Sequence, residues 1–260
     1  CDIIGAIRTG IGNDYLSFSG GTHVGEGIDM GNGDDTLVMT SGTVESAAKM
    51  GNGADTVDLS GSAHVDTIHT GNGNDDVHLS QSATADHIVT GNGNDNVTLG
   101  SRVTVQTVKT GNNNDTITVE HGANVGLIDG GNNTDTLQIK GGPYRVDWKD
   151  GNADGGDGRI VYLNADGTET GEFVDFCAIE TVTCFTPGTK IITAKGARLI
   201  LSARSEDKLA SFAAELGPDH VAQPLDVSDR DSLDRAAQAI AARGPVDRVV
   251  HLAAIYDPGK

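Results

Sequence analysis

Aromatic residues are scarce: one Trp, four Tyr and five Phe in 260 residues. That argues against a core built on large rings. The three cysteines, Cys1, Cys177 and Cys184, are an odd set and cannot form a self-contained disulfide framework. Basic residues are also few, 18 against 37 acidic ones, for a formal charge of −19. This balance argues against nucleic acid or an acidic membrane surface as the main partner, and it favours a solvated acidic exterior, metal cations, or both. No apolar run approaches the roughly 18 residues that would insert into a bilayer. No signal-peptide pattern opens the chain, and it begins on Cys1 rather than Met, which reads as a piece of a longer protein.

What the chain does have is unevenly placed. Residues 1–140 hold 18 acidic and 5 basic side chains with 23 of the 36 glycines, whereas residues 184–260 hold 10 of each sign and only five glycines. A shift this sharp marks a boundary near Cys184. The expected organisation is repeats over 1–140, a β-rich capping or bridging segment over 141–183, a short motif over 184–196 and a different tail over 197–260.

Within the first segment a unit recurs every 20 residues. Its best copy runs Thr70-Gly71-Asn72-Gly73-Asn74-Asp75-Asp76-Val77-His78-Leu79. The marker aspartates are Asp14, Asp35, Asp55, Asp75, Asp95, Asp115 and Asp135, one step of 21 followed by five of 20. Apolar residues fall two and four positions after each marker, as in Val57/Leu59 and Ile117/Val119. That alternation is a strand with one buried face. The second half of each unit repeats the pattern, as in Ala63, Val65 and Ile68. The fold class expected is all-β, a parallel β-solenoid (β-roll or β-helix) of 20-residue rungs. Two sheets would face each other across a thin aliphatic core, with a small, incomplete α/β, half-Rossmann tail beyond.

Stacking places the marker aspartates in one column, neighbours about 5 Å apart. Like charges so close cost energy unless something neutralises them, and a hard cation such as Ca²⁺ takes oxygen ligands of this type. The competing reading is a metal-free Asn ladder through Asn32, Asn52, Asn72, Asn92 and Asn112, with each Asp capping its own turn. An outward Thr array that matches an ordered lattice is too irregular to carry weight. The histidines lack ligand spacing within a rung and read as solvated face residues.

The turn resembles the calcium-binding nonapeptide of RTX proteins, G-G-x-G-x-D-x-U-x. It departs from that pattern in its first Gly and in occurring once per 20 residues. The resemblance implies a secreted, extracellular protein with Ca²⁺ held between stacked turns by Asp14, Asp35, Asp55, Asp75, Asp95, Asp115 and Asp135. The expected role is a structural or adhesive module whose rods associate end to end or side by side. Further on, Thr183-Cys184-Phe185-Thr186-Pro187-Gly188-Thr189 resembles the opening of the Hint (hedgehog/intein-type) domain. That implies Cys184 as the nucleophile of an N–S acyl shift on the Thr183 carbonyl, although no T-x-x-H block follows. The tail resembles the front half of a short-chain dehydrogenase. Strands are expected at 197–202, 221–225 and 246–252, with helices at 206–216 and 229–243. Ser202-Ala203-Arg204 and Leu225-Asp226-Val227-Ser228-Asp229 carry the likeness, which implies NADP contacts from Arg204, Asp226 and Val227. The glycine-rich phosphate cradle and the Y-x-x-x-K pair are both missing from the sequence. The balance is therefore against an enzyme.

Overall fold

Backbone geometry at the repeated Gly-Asn-Gly turn sets the architecture. In the computed structural model, which describes residues 2–149, 156–184, 200–203 and 221–224, Gly71 and Gly73 hold φ of +112° and +141°. A Cβ at either position would run into the carbonyl of Gly51 or Gly53 on the rung before. Glycine is therefore required twice over, for its left-handed backbone and for close rung-on-rung approach. In the later turns Asn113 and Asn133 take the second position, at φ of +82° and +90°, a region that Asn tolerates better than most residues.

The rungs stack in parallel, residue i over residue i+20. Gly31, Gly51, Gly71, Gly91, Gly111 and Gly131 follow one another up a column of paired positions. Leu37, Val57, Val77, Val97, Ile117 and Leu137 form a second such column. All six of these apolar residues are fully buried, as are Ala63, Val65 and Ile68 from the second half of a rung. The fold is thus an all-β parallel solenoid with a thin aliphatic core, as the period-two alternation predicts.

The strands Thr36–Asn52 and Thr56–Asn72 run unbroken for 17 residues each. In the later rungs each half is a strand of its own, as in Asp76–Leu79 and Thr84–Asn92, so two parallel stacks run up the rod and are joined through those two long strands.

Beyond Lys140 the pattern changes. Tyr144–Trp148, Gly158–Leu163 and Glu169–Cys177 form an antiparallel meander. Its buried Ile160, Tyr162, Val174 and Phe176 join the solenoid core, with Trp148 packed against them. Trp148 meets Phe176 edge-on, with ring centroids 5.3 Å apart. The few aromatics are concentrated here, where a broad lid has to cover the end of a narrow stack.

The chain then rejoins the solenoid. Asp175–Cys177 pairs in parallel with Leu127–Asp129, and Thr181–Cys184 with Thr136–Ile139. The segment after Lys140 therefore supplies both a lid and a final partial rung.

Residues 191–260 form a separate unit. Its described strands, Ile200–Ala203 and Val221–Pro224, pair in parallel. The helices expected at 206–216 and 229–243 and the strand at 246–252 lie outside the described residues. Among the described residues no helix is long and apolar enough to cross a membrane.

Candidate functional site: an aspartate column inside the turns

The marker aspartates do stack, and they point inward. Asp35, Asp55, Asp75, Asp95, Asp115 and Asp135 are all buried, none more than 2% exposed. One carboxylate oxygen of each has a fixed partner. The amide of Asp35 donates to Oδ1 of Asp55 at 2.8 Å, Asp55 to Asp75 at 2.9 Å, Asp75 to Asp95 at 2.9 Å, and Asp95 to Asp115 at 2.8 Å. The same bond runs from Asp14 to Asp35 at the bottom and from Asp115 to Asp135 at the top. Each side chain thus caps the rung below it and not its own turn, contrary to the capping expected in the metal-free reading. Parallel stacking brings the neighbouring amide within hydrogen-bond reach of the carboxylate, and a buried amide left unpaired is costly.

The second oxygen has nothing. Oδ2 of all seven marker aspartates is buried without a hydrogen-bond donor. Thr70, Thr90 and Thr110, the buried residues that open three of the turns, sit beside the carboxylates of Asp75, Asp95 and Asp115 but direct their protons elsewhere. Their hydroxyls donate to the carbonyls of Thr90, Thr110 and Gly130 on the next rung. A hydroxyl has one proton to give.

Burial without full pairing shifts the acidity of these groups. Desolvation raises Asp55 from 3.8 to about 6, against the opposing Asp35 amide, and the charges of Asp75, Asp35 and Asp34 add to the rise. Asp115 is likewise pushed up to about 6, by burial first and by the Asp95 charge last. Asp135 reaches about 7 through burial, with the charges of Asp115, Glu180 and Asp129 adding to it. Asp75 and Asp95 move in the same direction, again chiefly by burial, with the nearby Thr hydroxyl and the bonded amide pulling against the rise.

On the outside of the same turns the Asn ladder is also present. Nδ2 of Asn52 donates to Oδ1 of Asn32 at 2.7 Å, and the chain of bonds continues through Asn72, Asn92, Asn112 and Asn132 at 2.6–2.8 Å. The two readings weighed from sequence are thus not exclusive. The ladder is external and saturated; the carboxylate column is internal and half-satisfied.

Sequence reasoning missed one member of the column. The Asp135 amide donates to Oε2 of Glu180 at 2.7 Å, 45 residues away. The Thr181 amide donates to the Asp135 carbonyl just as Thr136 does to Asp115. The inserted meander hides the period, but Glu180-Thr181-Val182 repeats the pattern of Asp135-Thr136-Leu137 and was the available signal.

Hard cations take oxygen ligands, and the unpaired oxygens of this column are the Oδ2 atoms of the marker aspartates. The unpaired Oδ2 atoms of successive rungs would supply ligands, with turn carbonyls and water completing the shell. Among the described residues, however, no group of three or more His, Cys, Asp or Glu is gathered to hold a metal. The histidines do not gather either; His23, His64, His78 and His121 each face a single carboxylate.

The remaining candidate residues are placed as follows. Cys184 lies in a strand opposite Ile139. Arg204, Asp226 and Val227 lie outside the described residues. The Cys177 thiol is pushed up to about 11 by burial, then by the Asp129 and Asp157 charges, so it is a poor nucleophile.

The fold and turn chemistry define a class, the parallel β-solenoid repeat proteins. No family model, no curated protein and no solved structure matches the chain.

Proposed function

We propose that residues 1–183 form a calcium-coupled solenoid, a structural or adhesive module that works outside the cell. The observation that carries this reading is the row of seven buried Oδ2 atoms without donors. Buried carboxylates left this way must either take up protons or meet a cation. The acidic excess over residues 1–140 and the likeness of Gly-Asn-Gly-x-Asp to the RTX turn both favour the cation.

The chain's own residues divide the work. Oδ1 of each Asp from Asp35 to Asp135 holds the amide of the rung below, which fixes the carboxylate and keeps Oδ2 buried. The glycines bring successive turns close enough for one ion to touch two of them. Calcium would supply charge neutralisation, so binding and rung stacking become one event. Sites of roughly 10⁻⁴–10⁻³ M, the range of extracellular modules, would serve. No catalytic step is required of the rod.

The test is a calcium titration of the chelator-treated full chain by calorimetry, with far-UV circular dichroism followed in parallel. Saturable binding with a gain of β signal supports the reading. An unchanged spectrum with no binding heat contradicts it and leaves a metal-free rod held by its ladders.

A further inference from the structure

The outer ladder is built from a chemically fragile step. Gly-Asn-Gly stands at 31–33, 51–53, 71–73 and 91–93, and the Asn of each is exposed. In an Asn-Gly step the glycine nitrogen can attack the side-chain carbonyl carbon of the Asn before it, because no Cβ shields the approach. A bond forms from that nitrogen to Cγ, and the Cγ–Nδ2 bond breaks. Nδ2 leaves as ammonia with the proton that the glycine nitrogen gives up. Water then opens the cyclic imide at either carbonyl, giving Asp or its β-linked isomer. The net change is one water taken up and one ammonia lost.

Such an attack needs both partners free to meet in the right geometry. Stacking restrains both, and Asn52, Asn72 and Asn92 form a matched set. Nδ2 of each donates to the Asn below, and Oδ1 of each accepts from the Asn above, all at 2.6–2.7 Å. The nucleophiles are held less evenly. The amides of Gly53 and Gly73 donate to the carbonyls of Asn72 and Asn92 at 2.9 Å, whereas that of Gly93 reaches the Asn112 carbonyl only at 3.3 Å.

The cause lies one rung up. Asn113 stands where the lower turns have glycine, and its φ is +82°, against +136°, +141° and +134° at Gly53, Gly73 and Gly93. Its own amide donates to Oδ1 of Asn133 at 3.2 Å. The turn above Gly93 is thus shaped differently from the one Gly93 sits in, and the bond between them is stretched.

We propose that Asn92-Gly93 is a self-modification site, the first of these three steps to deamidate, with water as the only co-reactant. The matching steps at Asn52 and Asn72 are kept closed by stacking. All three share the tripeptide, so an unfolded chain converts them alike, and any difference between them belongs to the fold. The product changes the ladder. A carboxylate in place of the Asn92 amide has no proton for Oδ1 of Asn72, and the β-linked isomer adds a carbon to a backbone whose register is set residue by residue. This inference does not depend on what fills the inner column.

The experiment incubates the full chain in mildly alkaline buffer, folded and in urea, with heavy-oxygen water as tracer. Conversion at each Asn is mapped by mass spectrometry of its peptides, and amide hydrogen exchange is followed in parallel. Similar rates at the three sites are expected in urea. In the folded chain Asn52 and Asn72 should slow at least about tenfold, a barrier change of roughly 1.4 kcal/mol. Asn92 should convert ahead of both, and the Gly93 amide should exchange ahead of Gly53 and Gly73.

Asn72→Ala changes an exposed side chain and keeps the fold. It removes the acceptor of Asn92 Nδ2, so Asn92 should convert faster still in the folded variant, with its rate in urea unchanged. Equal folded-state rates at the three sites would overturn the assignment. So would folded rates matching those in urea, or no acceleration of Asn92 in Asn72→Ala.

Discussion

The inside and the outside of one turn, three residues apart, solve the same stacking problem in opposite ways. Outside, each Asn amide is both donor and acceptor, so Asn32 to Asn132 close a ladder that needs nothing further. Inside, each carboxylate is acceptor only, and the second oxygen of every marker Asp is left over. An amide column stabilises itself, whereas a buried carboxylate column asks for a proton or a cation. On the proposed reading the outer ladder is scaffold, and the inner column is where the rod responds to its surroundings.

If calcium fills the column as proposed, the largest break in that comparison comes from withdrawing it at pH 7.5. Each site saturated a hundredfold over its dissociation constant contributes about 2.7 kcal/mol. Chelation should therefore lower the melting temperature steeply, without any mutation.

Acidity is the next lever, in calcium-free buffer. The folded-state values of Asp55, Asp115 and Asp135 lie above the ordinary 3.8, at about 6, 6 and 7. The folded state therefore binds protons more tightly than the unfolded chain does. The stability they contribute is fully present below about pH 4 and is lost as pH rises through 6 to 7. Denaturant midpoints should fall between pH 5 and 7.5, and calcium should flatten that slope.

A smaller effect is expected from Asp75→Ala. It strands the Asp55 amide in the core and should cost about 1–3 kcal/mol in urea unfolding at pH 5, where calcium plays little part. The smallest is Asn72→Ala on the outer ladder, about 0.5 kcal/mol and the same with or without calcium. If Asn72→Ala proved the more damaging of the two, the contrast between inner and outer columns would be reversed.

Much of this architecture is legible in the sequence because a rung is a local unit. The 20-residue step, the Val57/Leu59 type of alternation and the paired glycines each specify geometry within one repeat, and stacking copies it upward. Which face a side chain takes is set by the strand pleat, so the buried apolar columns follow directly from the alternation. The direction of the Asp hydrogen bond is not local. It depends on the offset between neighbouring rungs, which is why capping within the same turn was expected and capping of the rung below is found.

Glu180 escaped for a related reason. The meander interrupts the period, and register is restored only by pairing of Asp175–Cys177 with Leu127–Asp129 in space. Composition pointed to a change of character near Cys184; strand pairing carries the solenoid as far as that residue, and the separate unit begins at Ile191. Composition reports surface charge and glycine content, not the hydrogen bonds of a terminal strand.

The most direct test of the aspartate column compares thermal melts of the full chain with those of the Asp75→Asn/Asp95→Asn variant across a calcium series at pH 7.5. Asparagine keeps the Oδ1 acceptor for the rung below and replaces the unpaired charged oxygen with a neutral amide. The account predicts that the wild-type melting temperature climbs with calcium and saturates. It predicts that the variant starts higher in calcium-free buffer and gains less. Equal gains in both proteins, or none in either, would contradict the claim that the inner carboxylates are what calcium meets.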